Sequence, residues 1–355
     1  MVHDSQLVSS WNENLGIHDF NPSFQFVKNP LSNADLTIGN LETTLPGKKE
    51  AYSGYPRFGA PDALIEALKN TGFDLLSTAN NHACDKGKEG LIRTLDVLDA
   101  YQIAHCGTYR NRKEHDENRV LFYHCNNIKL AFVNYTYGTN GLRIPNPVVV
   151  NLIDSAQMTQ DMALARASQP DVICVLLHAG AEYRSTPDNF QKKWVHFFLD
   201  EGADIILGSH PHVVQPFSLK RHRDKTGRIK PRLVIYSLGN FISNQKRPHT
   251  DCGIIFSFSI KKYTHDDDRA HIMIEHIRYS PLIVYEKKTS ASHMHVLLPV
   301  YIFNQNKTSF KLPYSVHHKL LKINAYYKNH LKSSLEQVKE FMQSQQHGRS
   351  STAIF

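Results

Sequence analysis

The chain reads as an α/β protein built on a largely parallel sheet. Three observations carry that reading. Short apolar runs alternate with stretches of helical periodicity between residues 35 and 216, as in repeated βαβ units. Each apolar run stops abruptly at Asn, Glu or His. After 216 the alternation gives way to strand-like runs separated by turn formers such as Asp224-Lys225-Thr226-Gly227, which predicts an antiparallel second half. A core of two sheets flanked by helices accommodates both textures.

Taken in order, residues 5–34 mix polar and aromatic residues with Asn-Pro breaks and read as a loop with a short helix. Residues 35–40 form the first strand. Residues 61–71 form a helix, with Pro61 near its first turn, Leu64, Ile65 and Leu68 on one face and Gly72 past its end. A second strand, 73–78, precedes a helix over 87–100 with Leu91, Leu95 and Leu98 inward. Strands at 119–124 and 128–134 are joined by Cys125-Asn126-Asn127 as a hairpin. Helix 154–168, strand 171–177, helix 188–201 and strand 203–207 follow. The second half has strands at 213–218, 232–237, 252–260 and 270–280. From about 313 a Lys- and Gln-rich helical tail runs to the end, and 341–355 is expected to lack order. Residues 1–300 are thus read as one domain and 301–355 as a C-terminal helical tail.

Composition narrows the function classes. With 355 residues, 41% hydrophobic and 21% charged, the chain has the makings of a globular core. A net charge of +8 and a pI of about 9.1 favour anionic partners. The five cysteines contain no CxxC pair, which argues against a zinc ribbon or a disulfide framework, and Cys174 and Cys252 read as buried small hydrophobes. No apolar run reaches 18 residues and no signal peptide is visible, so the chain as written reads as cytoplasmic or peripheral. The basic run Lys220, Arg221, Arg223, Lys225, Arg228, Lys230 and Arg232 contains no aromatic residue on which a base could stack. It reads as a solvated hairpin, and nucleic acid is not an expected partner.

The chemistry gathers at the strand ends. They supply Asn40 and Glu42; Asn80, Asn81 and His82, with Asp85 just beyond; His178 with Glu182; and His210 with His212. In open parallel sheets this edge is where ligands collect. Two histidines at i and i+2 offer two imidazoles from one rigid loop, and neutral His is the commonest metal ligand. Taken singly, each of these residues is equally well a strand-end cap or a turn residue; together, four such ends make a site. Nitrogen from His with oxygen from Glu and Asn suits Zn, Mn or Fe. Two metals roughly 3.5–4 Å apart can activate a hydroxide for attack on a phosphoryl or acyl centre. Glu42 is the candidate bridging carboxylate and Asn81 a neutral oxygen ligand. His82, with Asp85, stands as the candidate general acid.

The segments Asn40-Leu41-Glu42, Ala79-Asn80-Asn81-His82-Ala83-Cys84-Asp85-Lys86-Gly87, His178-Ala179-Gly180-Ala181-Glu182-Tyr183, Gly208-Ser209-His210-Pro211-His212 and Tyr236-Ser237-Leu238-Gly239-Asn240-Phe241 occur in order. Together they resemble the motifs of CapA-type poly-γ-glutamate capsule biosynthesis proteins, within the calcineurin-like metallophosphoesterase superfamily. The resemblance covers roughly residues 1–245. It implies a four-layer α/β/β/α sandwich holding two divalent metal ions. By position it places Glu42, Asn81, His178, His210 and His212 at the metals and His82 in the Asn-His motif. Ser237, Gly239 and Asn240 would border the site. Tyr55-Pro56-Arg57-Phe58 resembles the family's Tyr-Pro-x-Phe loop, so Arg57 could meet an anionic substrate. Asn40, Glu182 and Asn240 join Arg57 as substrate-binding candidates.

The departure is at the front. The family carries a strand ending in Gly-Asp-x-Met, and this chain opens at Met1-Val2-His3-Asp4. The N-terminal strand and its Asp ligand are therefore expected to be missing. Three readings follow: the protein starts upstream, His3 or Asp4 substitutes, or one metal position is impaired so that a single ion binds. An upstream segment would also make the protein membrane-anchored or extracellular. For function the resemblance implies a metal-dependent hydrolase or transferase-like component acting on an anionic polymer, poly-γ-glutamate. A phosphoesterase on a small phosphorylated substrate, or a non-catalytic accessory subunit of a capsule-synthesis membrane complex, are the alternatives.

Overall fold

The computed structural model describes residues 1–264, 270–288, 293–304 and 312–350. Its principal elements are α1 (Asp4–Ser10), β1 (Ile38–Asn40), α2 (Ala63–Thr71), β2 (Leu75–Ser77), α3 (Gly87–Ala100), β3 (Ala104–Cys106), β4 (Leu121–Cys125), β5 (Ile128–Thr136), α4 (Ser155–Ala167), β6 (Val172–His178), α5 (Asn189–Asp200), β7 (Ile205–Ser209), β8 (Phe217–Arg223), β9 (Ile229–Ile235), β10 (Cys252–Thr264), β11 (Ala270–Lys288), β12 (His293–Pro299), α6 (Tyr314–His330) and α7 (Lys332–Ser350).

One sheet has six strands in the order β8-β9-β7-β6-β5-β4. β5, β6, β7 and β9 run parallel, and β4 and β8 close its edges antiparallel. β6 is buried along its whole length, which explains the unbroken apolar run Val172–Leu177. Alternate residues serve two cores. Phe132, Cys174, Leu176, Ile205, Leu233 and Ile235 face inward, while Val133, Tyr135, Val175, Leu177, Ile206 and Val234 pack on Met158, Met162, Val195 and Phe198 of α4 and α5. The opposing layer holds two three-stranded sheets, parallel β1-β2-β3 and antiparallel β10-β11-β12. Leu75, Ile254, Ile283 and Val296 face the six-stranded sheet; Leu76, Leu282, Val284 and Leu297 face the outer layer with α1, α2 and α3. The result is the expected order of helices, sheet, sheet, helices.

β1 and β10 are edge strands, and both border a cavity of about 590 Å³ lined by Ile38, Phe132, Ile205, Ile254, Phe256 and Ile260. The cavity thus lies between the edges of the two three-stranded sheets.

Local signals in the sequence act as their chemistry requires. Gly72 takes φ 104° and closes α2 as a left-handed cap. Asn126 and Asn127, at φ 46° and 63°, form the two-residue turn between β4 and β5. Cys174 and Cys252 are buried, and every cysteine is free.

Several expectations need correction. The loop predicted for 5–34 contains α1 and two short helices, Asn21–Phe24 and Lys28–Ser32. The strand expected at 213–218 starts at Phe217, because residues 213–216 belong to the loop that carries His212. β9 is not part of an antiparallel half: it pairs parallel with β7 and extends the first sheet. The basic side chains of the hairpin β8-β9 face solvent except at Arg232, which is buried between Asp204 and Asp224. β3 and β12 are additional strands. Residues 301–355 do not simply trail away: Leu320, Ile323 and Tyr327 of α6 and Leu331 join the inner core. α7 runs to Ser350, and 351–355 lie outside the described residues.

Candidate metal centre

Five segments deliver side chains to one rim, and four of them directly follow the carboxyl ends of β1, β2, β6 and β7. Glu42 follows β1. Its Oε2 accepts from Asn40 Nδ2 at 3.1 Å. Its Oε1 is buried and, among the described residues, has no hydrogen-bond partner. That oxygen lies 3.7 Å from His178 Nε2 and 3.8 Å from His212 Nε2. The donor atoms of Glu42, His210 and His212 fall within 4.8 Å of one another.

His178 ends β6 and is fully buried. Its Nδ1 is 2.8 Å from Ser209 Oγ, and its Nε2 is 2.8 Å from Asn81 Oδ1. Asn81 is held in turn by donating to Asn140 Oδ1 at 3.1 Å. Asn80 acts as a strut rather than a ligand: it donates to Leu41 O at 2.8 Å and accepts from the His82 N–H at 3.0 Å.

The His-Pro-His loop leaves β7 under constraint. A Cβ on Gly208 would sit 2.0 Å from the Tyr236 carbonyl oxygen, so only glycine lets the loop pass there. His210 and His212 then take φ 97° and 59°. Left-handed backbone at two non-glycine residues costs of order 1–3 kcal/mol each and concentrates at functional sites. The turn throws both imidazoles toward Glu42. Asn240 fixes one of them. Its Nδ2 donates to Thr250 O at 2.7 Å and Gln245 Oε1 at 2.9 Å, so its Oδ1 accepts from His212 Nδ1 at 3.1 Å. The His212 Nε2 lone pair is left facing Glu42.

Electrostatics fit a cation. Burial, then the neighbouring imidazoles, push His178 well below its usual range and His210 down to about 3. Both rings are therefore neutral and keep lone pairs at physiological pH. A buried carboxylate oxygen without a donor, an unpartnered Nδ1 on His210 and two neutral imidazoles together make a donor set for a divalent metal. The residues present therefore fit the group that the resemblance implies.

Beside this group, His82 Nδ1 is 2.7 Å from Asp85 Oδ2, and Asp85 also accepts the Phe58 N–H at 2.6 Å. Phe58 packs edge-on against His82 with centroids 4.7 Å apart. Glu182 stands at the mouth, 3.9 Å from His212 Nε2 and 40% exposed. Arg57 is exposed on the loop that carries Phe58, and lies outside the buried cluster. Asp4 Oδ1 accepts the Gly54 N–H at 2.7 Å, and His3 Nδ1 accepts the Asn244 N–H at 3.1 Å, with the His3 ring packed on Phe58.

Sequence reading missed Ser209, Asn140 and Tyr137. Tyr137 packs on His210 at 4.5 Å between centroids and bonds Asn140 through its hydroxyl. All three had a usable signal. Ser209 lies inside the His-Pro-His motif, and Tyr137 and Asn140 follow the end of β5, a parallel strand whose rim residues were not counted.

Comparison with known proteins adds the following. The family model for bacterial capsule synthesis protein PGA_cap matches residues 1–245. The capsule biosynthesis protein CapA of Bacillus anthracis is 28% identical over 250 residues, covering 67% of this chain and 57% of that protein. The PGA biosynthesis protein CapA of Bacillus subtilis (strain 168) is 24% identical over 242 residues, covering 67% and 61%. The chain thus spans about three-fifths of the length of these relatives. Among solved structures, the NAD nucleotidase of Haemophilus influenzae superposes with a TM-score of 0.44 at 13% identity, covering 86% of this chain and 57% of that one.

Proposed function

The chain belongs to the bacterial capsule synthesis PGA_cap family, and from that premise we propose that its rim is a divalent-metal centre acting on an anionic capsule polymer, poly-γ-glutamate. The observation that carries the reading is the Glu42 Oε1 atom, buried, without a donor, and within 3.8 Å of two imidazole nitrogens.

Glu42, Asn81, His178, His210 and His212 would hold the metal. When bound, it would polarise the scissile carbonyl or phosphoryl group and lower the pKa of a water molecule. The chain's own residues do the rest. Asn240 and Ser209 orient the imidazoles of His212 and His178. Asp85 holds the His82 ring through Nδ1, so that Nε2 is the nitrogen left for proton delivery to a leaving group. Tyr183 lies 6.0 Å from His212 and carries Arg247 over its face at 4.3 Å, so a guanidinium stands at the mouth. With Arg57 on the neighbouring loop, it would meet successive carboxylates of a polyanion, consistent with the net charge of +8.

The test is incubation of the protein with γ-linked glutamate oligomers and Mn²⁺ or Zn²⁺, read by chain-length analysis. Metal-dependent change in oligomer length that disappears in Glu42→Gln supports the reading. Turnover of phosphomonoesters with no change in the oligomers would replace the polymer by a small phosphorylated substrate. No metal-dependent chemistry on either would leave a binding role.

A further inference from the structure

A second group of nitrogen and oxygen donors lies on the antiparallel sheet, outside the segment matched by the family model. His293 and His295 are two residues apart on β12, so both side chains leave the same face of the strand. Glu286 stands on β11 directly opposite His295 in the ladder. The donor atoms of the three fall within 4.8 Å of one another. Glu286 Oε1 is 2.9 Å from His293 Nε2 and 3.9 Å from His295 Nε2.

The informative residue is His295. It is only 1% exposed, and among the described residues its Nε2 has no hydrogen-bond partner. Its other nitrogen is accounted for. Nδ1 is 2.8 Å from Ser9 Oγ, and the Ser9 hydroxyl donates to the Gln6 carbonyl at 3.2 Å. With that proton directed at Gln6, the imidazole supplies its own proton at Nδ1. The Nε2 lone pair then faces a carboxylate oxygen inside the protein. An acceptor nitrogen buried without a donor and turned toward a carboxylate oxygen is unfavourable, and a cation between the two removes the conflict.

We propose that Glu286, His293 and His295 bind a divalent transition-metal ion of the zinc type, separate from the rim. Two imidazoles and a carboxylate with an open fourth position are an ordinary zinc donor set. Two ammonium groups share the carboxylate: Lys288 Nζ is 2.8 Å from Oε1, and Lys246 Nζ is 3.4 Å from Oε2. Both lysines are two-thirds exposed. Lys288 can swing into solvent and release Oε1, while Lys246 keeps Oε2. Because Ser9 belongs to α1, the ion fixes the ring that α1 rests on and acts as a clasp between the first helix and β12.

Zn²⁺ is titrated calorimetrically into the full chain and into His293→Ala, His295→Gln, His222→Ala and Glu42→Gln. His222 belongs to another His/Asp group, with His196 and Asp200, and controls for adventitious surface binding. The expected result is loss of one zinc equivalent in both His293→Ala and His295→Gln. That weakening should exceed the roughly 10–100-fold that loss of an orienting partner costs. The same equivalent survives in His222→Ala and Glu42→Gln. His293 is the first residue of β12 and only partly buried, so it carries the test if the buried His295 variant does not fold. Unchanged stoichiometry and affinity in His293→Ala, or loss of that equivalent only in His222→Ala, would overturn the proposal.

Discussion

The two ends of β7 hold buried acids in opposite ways. At its amino end, Asp204 accepts the Ile173 N–H at 2.9 Å and is paired with Arg232, which also reaches Asp224 at 2.9 Å. Lys230 approaches at 3.7 Å. At its carboxyl end, the loop beyond Ser209 brings two imidazoles close to a buried Glu42 oxygen that has no hydrogen-bond partner among the described residues. The same chain that supplies a guanidinium to one buried acid leaves the other open. One end is neutralised for stability; the other is left ready to receive positive charge from outside.

Variants sharpen that contrast. The largest effect is expected at the open end. Glu42→Gln keeps the shape and removes the charge. Metal-dependent turnover should fall about 10³-fold or more, because a metal supplies several kcal/mol to the transition state. Thermal melting should move by no more than a few degrees. Steady-state kinetics and calorimetric melting read both.

Next comes the neutralised end. Arg232→Leu strands Asp204 and Asp224 without their shared partner. Urea denaturation should show a loss of about 3–5 kcal/mol, the usual cost of breaking a buried ion pair. Turnover of the protein that remains folded should be unchanged. A loss of activity without a loss of stability would contradict the division between the two ends.

His82→Ala tests a different part of the rim. It should lower kcat by about 10²–10⁴ while metal content stays at the wild-type level, since His82 is read as a proton donor and not a ligand. Elemental analysis beside kinetics separates the two roles. The smallest effect belongs to Asn240→Ala, which frees the His212 ring without removing it. Metal affinity should weaken roughly 10–100-fold.

These contrasts also explain what the sequence could reveal. The run ending at His178 was legible because a strand buried on both faces must be continuously apolar, and a polar residue after it has to sit at the rim. The site residues Glu42, Asn81, His178, His210 and His212 follow from that logic, and the structure brings them together. Arg57 is different: a loop residue's reach depends on where the loop folds, and here it is exposed outside the cluster. The parallel pairing of β9 was illegible for a similar reason. Its hairpin with β8 is local, but its place beside β7 depends on chain returning from far away. Three-residue β3 is too short to carry a period. Ser209, Asn140 and Tyr137 act by holding other side chains, so their place at strand ends was visible in the sequence while their role was not.

The direct test of the central claim is a calorimetric titration of Mn²⁺ and Zn²⁺ into the full chain and into Glu42→Gln, with His293→Ala present in both to keep the second group silent. The account predicts at least one metal equivalent in the parent and binding about 100-fold weaker or lost when Glu42 is neutral. Equal affinity in the two proteins, or no metal bound by the parent, would contradict it.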